Sequence, residues 1–138
     1  MSRLFIDTNV FLYAFLDQND AKKSVAARIV SNAVLSGNGY VSLQVVNEFC
    51  NVIVKKSGKP LSEILEATRL FERFNIVDGS LRLTGRALEI KDAYGVQFYD
   101  SLMLACAEAS GCSEILTEDL NDGQMYGSVK AVNPFKGL

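Results

Sequence analysis

Arg3-Leu4-Phe5-Ile6-Asp7-Thr8-Asn9 opens the chain with a short apolar run that meets a carboxylate without a spacer. Leu4, Phe5 and Ile6 read as a buried strand, since a run apolar on both faces belongs in a sheet covered on both sides. A carboxylate ending a core strand loses hydration unless a cation or hydrogen-bond donors compensate. Asp7 is therefore the first candidate ligand, with a divalent metal ion as the leading candidate for what it binds. Asp also favours turns and helix caps, and Asp7 taken alone fits that role equally well.

Working outward, Asp17-Gln18-Asn19-Asp20 is a polar loop leading into a predicted helix over about residues 21–35, ended by Ser36-Gly37-Asn38-Gly39. Tyr40-Val41 is a short second strand, and Ser42 is placed to cap a helix over about residues 43–56. The core face of that helix is Val45, Val46, Phe49, Val52 and Ile53. After the break at Ser57-Gly58-Lys59-Pro60, a further helix carries Ile64, Leu65, Leu70, Phe71 and Phe74, and Ile76-Val77 is a third strand. Asp78-Gly79-Ser80 turns into a helix running to about Tyr94 and ended by Gly95. A strongly apolar helix over about residues 99–110 precedes a fourth strand at Ile115-Leu116, and residues 129–132 form a fifth. Strands alternating with helices predict an α/β fold, a parallel sheet with helices on both faces. In such sheets ligands gather beyond the carboxyl ends of the strands.

The 138 residues, 49% hydrophobic and 22% charged, are expected to form one soluble domain spanning 1–138. No apolar run approaches the roughly 18 residues needed to cross a bilayer, and the amino terminus lacks the features of a signal peptide. Cys50, Cys106 and Cys112 are odd in number and two lie in apolar helical patterns, which predicts reduced core thiols and a cytoplasmic protein. The chain contains no histidine. That excludes histidine general bases, Ser-His-Asp and Cys-His nucleophiles, and histidine-ligated zinc. No Walker-type loop or dinucleotide fingerprint is present. What remains is mainly carboxylates, hydroxyls and lysines, a set that suits hard cations such as Mg²⁺ or Mn²⁺. The net charge of −2 does not by itself point to a polyanionic partner.

Four acids land on one rim of the predicted sheet. Asp7 follows the first strand, and Asp119 comes two residues after Thr117, which ends the fourth. Asp100 opens the helix before the fourth strand, and Glu48 lies in the second turn of the helix leaving the second. They share a cleft if the first and fourth strands are neighbours. Each has an inert alternative. Asp100 would also serve as a helix cap, Glu48 shares a stripe with Gln44, Asn51 and Lys55 that fits a solvated face, and Asp119 sits among Glu118 and Asp122 in a polar loop.

Four segments, Ile6-Asp7-Thr8-Asn9, Val46-Asn47-Glu48-Phe49, Tyr99-Asp100-Ser101-Leu102 and Leu116-Thr117-Glu118-Asp119, resemble the PIN-domain pattern in order and in spacing across nearly the whole chain. The likeness is greatest to small VapC-type toxins of toxin–antitoxin pairs. The resemblance implies a three-layer α/β/α sandwich around a five-stranded, mainly parallel sheet, and a metal-dependent ribonuclease leaving 3′-hydroxyl and 5′-phosphate ends. It implies that Asp7, Glu48, Asp100 and Asp119 form the acidic cluster for one or two Mg²⁺ or Mn²⁺ ions. Thr117 matches a hydroxyl position beside the site, and Asn9 is expected to brace Asp7. Many relatives carry Asp-Phe a few residues after the Thr, whereas this chain reads Asp119-Leu120-Asn121-Asp122-Gly123, so Asp122 is either a peripheral ligand or a turn residue.

The same resemblance implies an RNA substrate and a small VapB-like antitoxin as partner. Candidate RNA-binding cations are Lys55, Lys56 and Lys59, Arg69 with Arg73, and Arg82 with Arg86, although each patch reads more readily as a solvated helix face. Tyr13 and Phe15 are candidates for stacking on bases or for the core. The apolar stretch from Phe11 to Phe15 and the helix around residues 64–74 fit an antitoxin surface, a homodimer surface or core. A catalytically silent PIN-like module that binds RNA or assembles with other proteins is the alternative function. A receiver-type phospho-acceptor fits poorly, because no acid pair follows the first strand.

Overall fold

The computed structural model describes all 138 residues. Six strands form one sheet: β1 (Leu4–Ile6), β2 (Gly39–Ser42), β3 (Asn75–Val77), β4 (Glu114–Leu116), β5 (Met125–Tyr126) and β6 (Val129–Val132). Their order is β3-β2-β1-β4-β6-β5. All pairings are parallel except β5 with β6. The sheet therefore has one strand more than expected, because Gly127-Ser128 closes a two-residue hairpin that folds Met125–Tyr126 back onto β6.

Six helices cover the sheet: α1 (Thr8–Phe15), α2 (Asp20–Ser36), α3 (Leu43–Lys56), α4 (Leu61–Thr68), α5 (Leu81–Tyr94) and α6 (Phe98–Ala109). Side-chain oxygens of Asn19, Ser42 and Ser80 accept from the first-turn amides of α2, α3 and α5, satisfying donors that a helix start leaves orphaned. Gly37 ends α2 at φ 69°, the left-handed conformation that costs glycine least. The helix expected over residues 64–74 breaks into α4 and a 3₁₀ turn over Arg69–Arg73. The tighter turn brings Phe71 and Phe74, three residues apart, into the core together.

Helices α1 to α4 gather in one layer and α5 packs on α6 in the other. A single cluster of 29 buried residues fills both sides of the sheet. Its densest part is a ring cluster, with Phe11 4.8 Å from Phe71 and 5.3 Å from Phe74 between ring centres, and Phe49 5.3 Å from Phe71. This locks α1 onto α3 and the 3₁₀ turn, fixing the wall that carries Glu48 relative to the strand that carries Asp7. No helix is long and apolar enough to cross a membrane.

Candidate active site

β1 and β4 are neighbours, with Phe5 opposite Ile115 and Ile6 opposite Leu116. The ladder continues one step further, since the Asp7 amide donates to the Leu116 carbonyl at 3.1 Å. Asp7 and Thr117 thus leave adjacent parallel strands in register, and their side chains meet. Thr117 Oγ1 donates to Asp7 Oδ2 at 2.8 Å, and the Thr8 amide donates to Asp7 Oδ1 at 2.6 Å. Asp7 is the N-cap of α1 and also faces the cleft. The two readings of this residue are compatible. Thr117 Oγ1 in turn accepts from the Asp119 amide at 3.1 Å, so one buried hydroxyl sets the spacing between two of the acids.

Asp7, Glu48, Asp100 and Asp119 line one cleft of about 380 Å³. Glu48 Oε1 accepts from Gln44 Nε2 at 2.7 Å, and its Oε2 accepts from Thr8 Oγ1 at 3.1 Å. It is therefore held across the cleft from α3 to α1 rather than free on a solvated face. Asp100 lies in the first turn of α6 without capping it, because Gln97 occupies the N-cap and provides no side-chain bond. Asn9 Nδ2 donates to Asp119 Oδ2 at 3.3 Å, so Asn9 braces Asp119 instead of Asp7.

Burial pushes the Asp7 carboxyl up to about 7, with the charges of Asp119 and Asp100 adding to it against the lowering bonds from Thr117 and Thr8. Burial likewise raises Asp100 to about 6, helped by the charges of Asp119 and Glu48. None of the four makes an ion pair, whereas neighbouring Glu118 and Asp122 both do. No lysine or arginine lines the cleft. Hard oxygen donors without a cationic partner, one of them nearly fully buried, fit a divalent ion in donor type. As arranged, no three acidic or thiol side chains form a group that could hold a metal ion; the carboxylates stand around the cleft, and ligation requires them to close in.

Residues 4–123 match the PIN-domain family. The chain belongs to that family. Among solved structures, a toxin–antitoxin complex from Klebsiella pneumoniae is similar at 21% identity and a TM-score of 0.71, covering 97% of this chain and 98% of the other. VapC20 of Mycobacterium tuberculosis, a Sarcin-Ricin loop cleaving toxin, is similar at 17% identity and TM-score 0.63, covering 81% of this chain and 86% of that one. VapBC2 of Rickettsia felis, bound to a promoter DNA fragment, is similar at 17% identity and TM-score 0.63, covering 93% of this chain and 96% of the other. No curated protein matches significantly.

Not every residue singled out in the sequence reaches this PIN-domain cleft. Asp122 accepts from the Asn133 amide at 2.8 Å and from Lys136 Nζ at 3.2 Å, tying a loop to the carboxyl-terminal turn. Lys55, Lys56, Lys59, Arg69 and Arg73 lie outside the cleft lining. Lys59 pairs with Glu63 at 3.7 Å and Arg69 with Glu66 at 3.5 Å. Arg86 is engaged by both oxygens of Glu108, at 2.8 and 3.0 Å. Tyr13 is not a free stacking surface, since its ring packs edge-on against Phe135, 5.0 Å between centres.

Sequence reasoning missed the clamp that holds Asp119. Lys22 Nζ donates to Glu118 Oε2 at 2.9 Å and to Tyr13 Oη at 3.2 Å, while Tyr13 Oη donates to Glu118 Oε1. Asn9 and Tyr13 are four residues apart on α1 and so share a face. Successive turns of that helix pin the successive acids Asp119 and Glu118. The sequence signal was the i, i+4 pair Asn9 and Tyr13, hydrogen-bonding side chains within a helix that is mostly apolar after Asn9.

Proposed function

We propose that the chain is a divalent-metal-dependent ribonuclease, the toxin of a type II toxin–antitoxin pair. The observation that carries the reading is the convergence of four carboxylates, none in an ion pair, on one cation-free cleft. Asp7 and Asp100 would hold the principal Mg²⁺ or Mn²⁺, with Asp119 and Glu48 completing its ligands or holding a second. A bound ion of this kind supplies an acidified water and neutralises charge at the scissile phosphate. The protein's own part is placement. Thr117 keeps Asp7 aimed at the cleft, Thr8 and Gln44 hold Glu48, and Asn9 with the Glu118 clamp holds Asp119.

Support for an antitoxin partner comes from the neighbours of known assembly, two of which are toxin–antitoxin complexes. A shallow apolar groove of about 170 Å³ between Phe11, Phe15, Phe49, Ala67 and Leu70 is where an apolar antitoxin segment would dock. A homodimer is part of the same proposal, and light scattering on the purified chain measures it. The alternative, a silent RNA-binding or assembly module, draws on the open spacing of the carboxylates.

Incubation with end-labelled RNA separates the two. The nuclease reading expects cleavage with Mg²⁺ or Mn²⁺, none in chelator, and none by Asp7→Asn or Asp100→Asn variants that keep the wild-type circular dichroism. RNA binding without cleavage under any divalent ion selects the silent module.

A further inference from the structure

Beyond the acids, the cleft is walled by uncommitted hydrogen-bonding side chains. Asn51 and Gln97 line it alongside the carboxylates, and Asn47 lines the open continuation of the same cleft past Glu48 and Asn51. All three are exposed, and their carboxamides make no hydrogen bond within the protein, unlike Gln44 and Asn9, which are spent on Glu48 and Asp119. Tyr99 stands next to Asp100 on the opposite wall, 56% exposed, its ring in edge-on contact with Phe98 at 5.3 Å between centres. With no lysine or arginine in the lining, the cleft offers a phosphate no side-chain cation. What it offers in quantity is paired donors and acceptors beside a flat aromatic ring. That chemistry suits the edge and the face of a nucleobase.

We propose that this cleft binds the unpaired nucleotide next to the scissile phosphate by its base, stacked on Tyr99 and read along its edge by Asn51 with Asn47 and Gln97. The inference rests on the ribonuclease reading and adds what the substrate must present. In an A-form duplex the Watson–Crick edges are paired, the bases are stacked on one another, and the major groove is too deep and narrow for side chains to read. A wall of carboxamides therefore selects single-stranded segments, loops or bulges, and it places sequence choice on the residues beside the cut. The lysine and arginine patches outside the cleft are left to contact the flanking backbone, without influence on base preference.

The test has two arms. In the first, an RNA carrying a randomised window between unstructured flanks is cleaved with Mn²⁺ and the ends are sequenced. Wild type is expected to show a base preference beside the cut, which Asn51→Ala or Gln97→Ala flattens by about tenfold at one position. Tyr99→Ala is expected to raise KM about tenfold with kcat little changed, and Tyr99→Phe to restore it. In the second arm, the same variants are placed in an Asp100→Asn background, and anisotropy reports binding of a labelled single strand and of its duplex. Single-strand binding is expected to exceed duplex binding and to weaken with Tyr99→Ala but not with Tyr99→Phe. Metal-dependent cleavage with base preference and single-strand binding unchanged in every variant overturns this inference and leaves the nuclease reading intact. A wild type that neither cleaves nor binds any RNA in the pool overturns both.

Discussion

Asparagine in place of Asp7 is expected to make the metal-free protein more stable at pH 8. The carboxyl is almost fully buried, and its ionisation is pushed from an ordinary 3.8 to about 7. A group whose folded pKa exceeds its unfolded one holds its proton more tightly in the native state, so stability falls as pH climbs from about 4 through 7. About three units at about 1.4 kcal/mol each set an upper limit of about 4 kcal/mol on this penalty at pH 8. At pH 4.5 it shrinks to about 1 kcal/mol. Asparagine keeps the bond from the Thr8 amide, but Thr117 loses its carboxylate acceptor, a cost of about 1 kcal/mol. The net gain is about 1–3 kcal/mol at pH 8 and near zero at pH 4.5, roughly 3–9 °C in Tm for a chain of this size. Urea or thermal unfolding in chelator at both pH values measures it. Saturating Mn²⁺ should then stabilise wild type and narrow the gap, because the ion binds the folded state of the intact site. An Asp7→Asn protein less stable than wild type at pH 8 would show that burial of an uncompensated carboxylate is not the dominant strain at this position.

Other outcomes follow from the same contacts. Glu118→Gln removes the charge that joins Lys22 and Tyr13, and should cost about 1–2 kcal/mol in urea unfolding while speeding hydrogen exchange over residues 118–123. Phe11→Ala opens the ring cluster beneath α1 and is expected to cost about 3–5 kcal/mol by the same assay. Gly39→Ala would set a methyl 2.6 Å from the Phe74 ring, so a loss of about 1–3 kcal/mol is expected. Phe15→Asp, in the apolar groove, should abolish co-purification with a co-expressed cognate antitoxin while RNA cleavage persists.

The parallel α/β order and the shared rim of the acids were legible because each rests on a local signal. Ser42 before an amphipathic stretch gives α3, whose observed span matches the expected one. Helix α1 was not legible. Val10 through Phe15 is apolar almost throughout, so it has no polar face from which to read a 3.6-residue period, and it ends at Leu16 without a glycine. β5 was missed although Gly127-Ser128 is a two-residue hairpin signal, because a two-residue strand is too short to show alternation. The partner of Asn9 was misassigned for a related reason. Asn9 is close to Asp7 in sequence, but one turn into α1 its side chain swings toward the loop after β4. Tertiary neighbours of that kind carry no local signature.

On this reading the four carboxylates form one divalent-ion site. Calorimetric titration of Mn²⁺ into chelator-stripped protein at pH 6 in buffers of differing ionisation heat tests it most directly. Wild type is predicted to bind one or two ions and to release protons as it does so, since Asp7 and Asp100 hold theirs near that pH in the metal-free state. Asp7→Asn and Asp100→Asn are predicted to lose the binding. Wild type that shows no saturable binding, or that binds equally well after both substitutions, contradicts the claim.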